Sequence, residues 1–168
     1  MNFTSEPLDD AHVLTLFDSG NKALDRWLCQ SAGRGQVQDT GRTFVWHTGE
    51  KEVVAYYTLT GHALHRDSLS KKQANSLPAE VPAILLAKLA LDVSLQGQGL
   101  GGELLLDALT RCVRAGEMVA SRFVVVDAID ENAAGFYEKY GFNRIPDTEP
   151  VRLLRRLKSI AADLSTTS

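Results

Sequence analysis

The feature that most constrains this chain is the stretch from Ile84 to Cys112, which reads as strand, glycine-rich turn and helix. Its first part, Ile84-Leu85-Leu86-Ala87-Lys88-Leu89-Ala90-Leu91-Asp92-Val93, is an apolar run. Leu85, Ala87, Leu89, Leu91 and Val93 share one face while Lys88 and Asp92 fall on the other, so both faces are expected to be largely covered. After Gln96-Gly97-Gln98-Gly99-Leu100-Gly101-Gly102, the residues Leu100, Leu104, Leu105, Ala108, Leu109, Cys112 and Val113 recur at helical spacing, with Glu103, Asp107, Arg111 and Arg114 between them. Glycines at a strand-to-helix turn let the main chain approach a ligand, and the first free amides of the helix, with its dipole, form an anion site suited to a pyrophosphate. The P-loop is excluded, because Gly101-Gly102-Glu103 lacks the Gly-Lys-Ser/Thr ending. The dinucleotide fingerprint, which also asks for an acidic residue about 20 positions later, is not met cleanly. A glycine-rich turn without a ligand is the plain alternative.

A second pattern lies downstream. The apolar strand Phe123-Val124-Val125-Val126 is followed by Asp130-Glu131-Asn132-Ala133-Ala134-Gly135-Phe136-Tyr137-Glu138-Lys139-Tyr140-Gly141-Phe142. Gln96-x-x-Gly99-x-Gly101 resembles the acetyl-CoA loop of the GNAT acetyltransferase superfamily, and the downstream run resembles that superfamily's second motif, in the same order and at the expected distance. The resemblance implies an α/β fold with a mixed, mainly antiparallel central sheet flanked by helices, in one GNAT domain spanning residues 1–168.

The remaining chain agrees with this layout. Phe17-Asp18-Ser19-Gly20-Asn21 leads, through cap-forming residues, into an amphipathic helix carrying Ala23, Leu24, Trp27, Leu28, Ser31 and Ala32, expected to end near Gly33-Arg34-Gly35. Arg42 to His47 and Glu52 to Thr60 read as a hairpin about Thr48-Gly49-Glu50-Lys51. Residues 62–80 read mainly as a long surface loop with room for a short helix, and Val151 to Leu157 as a last strand running into a frayed end. Cys29 and Cys112 fall on predicted helices without metal-like spacing, as buried thiols, and His12, His47, His62 and His65 form no ligand pattern with them. The absence of a signal-like start and of any apolar run of 18 residues points to the cytoplasm rather than a membrane. A net charge of −3 opposes a bulk pull toward nucleic acid, although Lys71, Lys72, Arg152, Arg155, Arg156 and Lys158 form local basic groups.

The opening helix, Arg42-Thr43-Phe44-Val45, Lys88 to Asp92 and the Pro150 to Leu154 tail together resemble one GNAT branch, the toxins of bacterial toxin–antitoxin pairs. These acetylate the α-amine of aminoacyl-tRNA and are held by a ribbon-helix-helix antitoxin. The resemblance implies acetyl-CoA as co-substrate, aminoacyl-tRNA as acceptor and a homodimer. It implies that the main chain of Leu89, Leu91 and Val93 pairs with the pantetheine arm and that Gln96, Gly97, Gln98, Gly99, Gly101 and Gly102 wrap the pyrophosphate. Tyr137 takes the place of the catalytic tyrosine, as donor to the departing thiolate, unless it is simply a core aromatic beside Phe136 and Phe142. No general base stands out; Glu52, Asp92 and His47 are weak candidates. Two positions depart from the pattern: Asp130 stands for the usual Asn, and Gly33-Arg34-Gly35 for a segment that often keeps an asparagine. If tRNA is the acceptor, Arg34, Arg42, Lys71, Lys72, Arg152, Arg155 and Arg156 must share a surface. Other readings are an acetyltransferase for a small amine or a protein N-terminus, and a non-catalytic acyl-CoA-binding domain.

Overall fold

The computed structural model describes residues 2–166. Its elements, in chain order, are β1 (Thr4–Pro7), α1 (Lys22–Trp27), α2 (Gly33–Gln38), β2 (Arg42–His47), β3 (Val53–His65), α3 (Lys71–Ala74), β4 (Glu80–Leu91), α4 (Leu100–Met118), β5 (Phe123–Asp127), α5 (Glu131–Lys139), β6 (Asn143–Arg144), β7 (Arg152–Arg156) and α6 (Leu157–Thr166). The strands form one seven-stranded sheet in the order β1-β2-β3-β4-β5-β7-β6. β4 and β5 run parallel, whereas β1–β2, β2–β3, β5–β7 and β6–β7 are antiparallel. The fold is therefore the mixed, mainly antiparallel α/β sheet expected. The chain forms two compact units: the first takes the chain up to Thr60 together with Ala87–Ala108, the second Gly61–Leu86 together with the chain from Leu109 on.

In the first unit, the Asn21 side chain caps α1 by accepting the Leu24 N–H at 3.1 Å. The helix does not stop at Gly33. One π-helical turn, Leu28–Ala32, is followed directly by α2, which ends where Asp39 turns left-handed at φ 59°. Two helical glycines cost about 1 kcal/mol each relative to alanine. The extension is offset by Gln36, whose amide donates to the Leu8 and Thr43 carbonyls and whose Oε1 accepts the Thr43 N–H at 2.8 Å. Leu28, Val45 and Tyr56 centre the core of this unit. The Tyr56 hydroxyl donates to the Leu24 carbonyl at 2.7 Å. On α4, Asp107 Oδ2 accepts from Ser5 Oγ at 2.6 Å, Tyr57 Oη at 2.9 Å and Trp46 Nε1 at 3.2 Å, so one carboxylate joins the helix to β1, β2 and β3.

β1, a four-residue edge strand with no period of its own, carries no sequence signal. It is secured by Glu6, whose Oε1 accepts from His47 Nε2 at 2.7 Å, Lys51 Nζ at 2.7 Å and His12 Nε2 at 2.8 Å. The Nδ1 atoms of His12 and His47 accept the backbone N–H groups of Asp9 and Gly49, which places the ring proton of each neutral imidazole on Nε2, facing Glu6. These donors hold the Glu6 carboxyl down to about 2.

In the second unit, β4 pairs with β5 from Ala83↔Phe123 to Leu86↔Val126. Val81, Ala83, Phe123, Val125, Ile145 and Leu154 lie in its core. Arg152 Nε and Nη2 bind both oxygens of Asp127 at 2.7 and 2.9 Å. The segment expected to be a long loop is mostly ordered: β3 runs on to His65, a 3-10 turn covers Arg66–Ser68, and α3 follows. The tail does not fray after β7 but forms α6, which buries Leu157 and Ile160, and Gly116 of α4 is backed directly by the Leu157 side chain. The frayed end expected there is helical as far as Thr166; the last two residues lie outside the described residues. Cys29 is exposed rather than buried, and Cys112 is buried as expected.

Two outcomes follow from the buried polar groups. Asp107→Ala strands three donors and should lower the free energy of unfolding by about 3 kcal/mol, against about 1 kcal/mol for Asp107→Asn, in urea titrations followed by tryptophan fluorescence. Glu6 titrates lower folded than unfolded, so its contribution is complete above pH about 4.5 and is lost as pH falls toward about 2. Across that interval the melting temperature of the wild type should fall more steeply than that of Glu6→Gln; parallel curves would show that the clasp contributes nothing.

Candidate functional site

The glycine loop belongs to the first unit and begins where β4 ends. The parallel ladder stops at Leu86, while β4 continues to Leu91, so Leu89 and Leu91 lie beyond the last β4–β5 pair. Along β4, Val81, Ala83, Leu86 and Ala90 are buried and no residue from Ala83 to Asp92 is exposed, so both faces are largely covered, as expected. Val93 is 46% exposed at the strand's exit.

A short segment before α1 fixes this exit. The Asp18 N–H donates to Asp92 Oδ2 at 3.0 Å, and the Val93 N–H returns to the Asp18 carbonyl at 2.7 Å. Asp92 Oδ1 accepts the Ser94 N–H and hydroxyl at 3.0 and 2.8 Å, capping a 3-10 turn over Val93–Leu95. These backbone donors hold the Asp92 carboxyl below its usual range against the opposing effect of burial, which is the largest single influence on it. Gln96 Nε2 donates to the carbonyls of Leu91 at 2.8 Å and Ser19 at 2.9 Å. Ser19 is itself held by Asp25, through Oγ at 2.6 Å. Beyond Gln96 the chain is exposed. Gly97 and Gly99 have φ of +78° and +80°, a region that side chains rarely adopt, and open space surrounds the α carbons of both. α4 starts at Leu100, placing Gly101 and Gly102 in its first turn, where amide N–H groups have no partner within the helix. Gln98 Nε2 reaches back to the Ser94 carbonyl at 3.3 Å. The loop thus presents bare main chain at the positive end of a 19-residue helix.

The same unit contains a cavity of about 260 Å³ beside α1 and α2, with Trp27, Arg34, Gln38, Thr58 and Thr60 in its wall. Of the residues expected to meet tRNA, Arg34 is therefore at a concavity, whereas Arg42 is engaged by Asp39 at 2.6 Å. No sequence pattern foretold this cavity, because its wall is gathered from both helices and the hairpin.

Tyr137 lies in the second unit on α5. Asp130 caps that helix, accepting the Ala133 N–H at 2.8 Å, so the departure from the usual Asn leaves the cap intact. The Tyr137 ring is buried between Phe142 and Phe136, with edge-on centroid distances of 5.7 and 5.3 Å, yet among the described residues its hydroxyl has no hydrogen-bond partner. Burial pushes the phenol pKa upward, so the group keeps its proton.

Two of the three weak base candidates are otherwise committed, His47 to Glu6 and Asp92 to the loop, while Glu52 is exposed. Glu6, His12 and His47 form the one cluster of metal-ligand type among the described residues. Both imidazoles turn a protonated Nε2 inward, and Lys51 supplies a cation to the same carboxylate, so the cluster reads as a hydrogen-bonded clasp.

Residues 34–152 match the acetyltransferase (GNAT) domain family. A tRNA-acetylating toxin of Mycobacterium tuberculosis (strain ATCC 25618 / H37Rv) is 37% identical over 156 residues, which cover 92% of each chain. Among solved structures, AtaT complexed with acetyl-methionyl-tRNAfMet superposes with a TM-score of 0.89 at 31% identity, covering 97% of this chain and 99% of that one. An AtaT toxin carrying a tyrosine-to-phenylalanine mutation, bound to the C-terminus of the antitoxin AtaR and acetyl-CoA, superposes at 0.85 and 29% identity, covering 98% and 99%. The chain belongs to the GNAT acetyltransferase family and is an acyltransferase of that class. Among the described residues no helix is long and apolar enough to cross a membrane.

Proposed function

We propose that this protein transfers the acetyl group of acetyl-CoA to the α-amine of aminoacyl-tRNA, and so acts as a toxin that blocks translation. The observation that carries the reading is the exposed loop from Gln96 to Gly102, with two left-handed glycines opening α4, in a chain similar over nearly its whole length to a tRNA-acetylating toxin. In this reading Gln96, Gly97, Gln98, Gly99, Gly101 and Gly102 bind the pyrophosphate. The pantetheine arm pairs with the main chain of Leu89 and Leu91. Val93, whose N–H is taken by Asp18 and whose carbonyl accepts from Gln96 at 3.3 Å, adds its exposed isopropyl group instead.

Acetyl-CoA supplies an activated thioester. The neutral amine forms the new C–N bond as the C–S bond breaks, the phenol of Tyr137 protonates the departing thiolate, and the proton shed by the acylated amine returns by way of solvent to the phenolate, which restores the phenol. An aminoacyl ester's amine is less basic than lysine's, so enough of it is neutral without a dedicated base. By resemblance, the protein works in the cytoplasm as a homodimer and is restrained by a ribbon-helix-helix antitoxin. A small amine or a protein N-terminus as acceptor is favoured by one observation, the net charge of −3.

Incubation with labelled acetyl-CoA and charged tRNA from every family decides between them. Label on the amino acid is expected; none on any tRNA, with turnover of a small amine, would remove the tRNA reading. Tyr137→Phe should lower kcat on the productive acceptor by about 100-fold. Its affinity for acetyl-CoA in calorimetry should stay within about twofold. Gly99→Ala, which forces a side chain into the left-handed region at about 1–2 kcal/mol, should weaken acetyl-CoA binding by about tenfold.

A further inference from the structure

The second unit contains a larger cavity, of about 440 Å³, that plays no part in the acyl-transfer chemistry. Four cationic side chains stand in its wall: Lys72, Arg122, Arg155 and Arg156. Among the described residues the wall carries no carboxylate. Three elements bring the cations together. The Ser70–Gln73 capping box, with bonds of 3.2 and 3.0 Å, fixes the short helix that carries Lys72. Arg122 is fixed by its backbone, its N–H donating to the Pro82 carbonyl at 2.8 Å and its carbonyl accepting the Leu157 N–H at 2.9 Å. Arg156 lies opposite Phe123 in the β5–β7 ladder, one residue along from Arg122.

The decisive group is Arg122. Its Nε is buried and has no hydrogen-bond partner. A buried donor left unpaired costs about 1–3 kcal/mol, and a chain that folds for stability alone does not place a guanidinium in this way. Arg155 is in part neutralised by Asp163, and Gly141 has room only for a hydrogen where the Arg155 guanidinium passes, since a β carbon there would come within 3.0 Å of Nε. Lys72 and Arg156 are exposed.

We propose that this cavity is a phosphate-binding site that holds a backbone phosphodiester of the acceptor RNA. The guanidinium fork matches a phosphate's paired oxygens, and Nε is one of the two donors along its side edge. Three guanidiniums and an ammonium exceed the demand of a single peptide carboxylate. Of the remaining wall residues Gln73, Asn143 and Ser159 are polar, and the two large apolar ones, Phe123 and Leu154, are themselves buried, so an acidic peptide finds few exposed apolar anchors. The site also reconciles an acidic protein with a polyanionic acceptor, because binding needs locally placed cations rather than net charge. The assignment rests on the aminoacyl-tRNA reading above, and the test separates the two.

Uncharged tRNA is titrated by fluorescence anisotropy over a salt series, and KM for charged tRNA is measured, with wild type, Arg122→Gln and Arg156→Gln. Each variant is expected to raise KM about tenfold and to reduce the slope of log K against log salt by about 1, with acetyl-CoA affinity held. Arg122→Gln should melt no lower than wild type, since Nε has no bond to lose; a marked fall in melting temperature with unchanged RNA affinity would make Arg122 structural and overturn the proposal. Inorganic phosphate is titrated by calorimetry in the same samples. Phosphate binding abolished by Arg122→Gln, with tRNA affinity unchanged, would assign the cavity to a free phosphate ligand and overturn the RNA assignment. Unchanged tRNA affinity with loss of binding to an acidic peptide would give the cavity to a protein partner and overturn it equally. If wild type acetylates no charged tRNA yet binds uncharged tRNA in an Arg122-dependent way, the pocket stands and the enzymatic reading falls.

Discussion

The position of the glycine loop depends on one exchange of hydrogen bonds, in which Asp92 takes the Asp18 amide and Val93 gives its own amide back to the Asp18 carbonyl. Past Leu86 the strand has lost its parallel partner and is laddered on its β3 side alone, as far as the Asp92 N–H on the Val54 carbonyl at 2.9 Å, and the direction beyond that point is still to be set. Asp92 and Gln96 supply that direction from side chains. Gln96 serves two ends at once: its amide bridges Leu91 and Ser19, so the residue that opens the loop also joins the strand to the segment packed before α1. What remains free is the main chain around the glycines, and a polyphosphate needs little else.

The polar side chains of this protein fall into two groups. His47 and Asp92, two of the base candidates read from the sequence, and with them His12, Glu6 and Asp107, are each engaged in holding strands, a turn or a helix in place. Tyr137 and Arg122 are the reverse: the Tyr137 ring is buried while its hydroxyl bonds to nothing among the described residues, and a buried guanidinium nitrogen of Arg122 has no partner. A fold tolerates such groups where a bound molecule completes them. The absence of a free base among the first group fits chemistry in which a weakly basic amine needs only a good electrophile and a proton for the leaving thiolate.

How much of this was legible in the sequence varied with the range of the interactions. The α4 stripe of Leu104, Leu105, Ala108, Leu109 and Cys112 is buried as its spacing demanded, because a long helix on a sheet leaves few other solutions. The hairpin and the glycine loop were equally plain, since turn chemistry is local. The end of the first helix was misread at Gly33, where propensity favours stopping but Gln36 binds two distant carbonyls. β1 was missed because four residues show no period of their own, and α6, whose Leu157, Ile160, Ala161 and Leu164 do recur at helical spacing, because the run before it was read as a strand going into a frayed end. The Glu6 clasp and the Arg122 cavity gather residues scattered along the chain, and no spacing rule announces them.

β1 forms one margin of the sheet and is four residues long. Beside its ladder with β2 and the Ser5 hydroxyl on Asp107, its attachment to the rest uses a single carboxylate shared by three nitrogens. Acidification that discharges this carboxylate frees the outer side of β2, with its alternating Thr43, Val45 and His47, to recruit another molecule's strand. Storage or crystallisation in strongly acidic buffer therefore invites self-association through that margin, and neutral solutions containing modest salt avoid it.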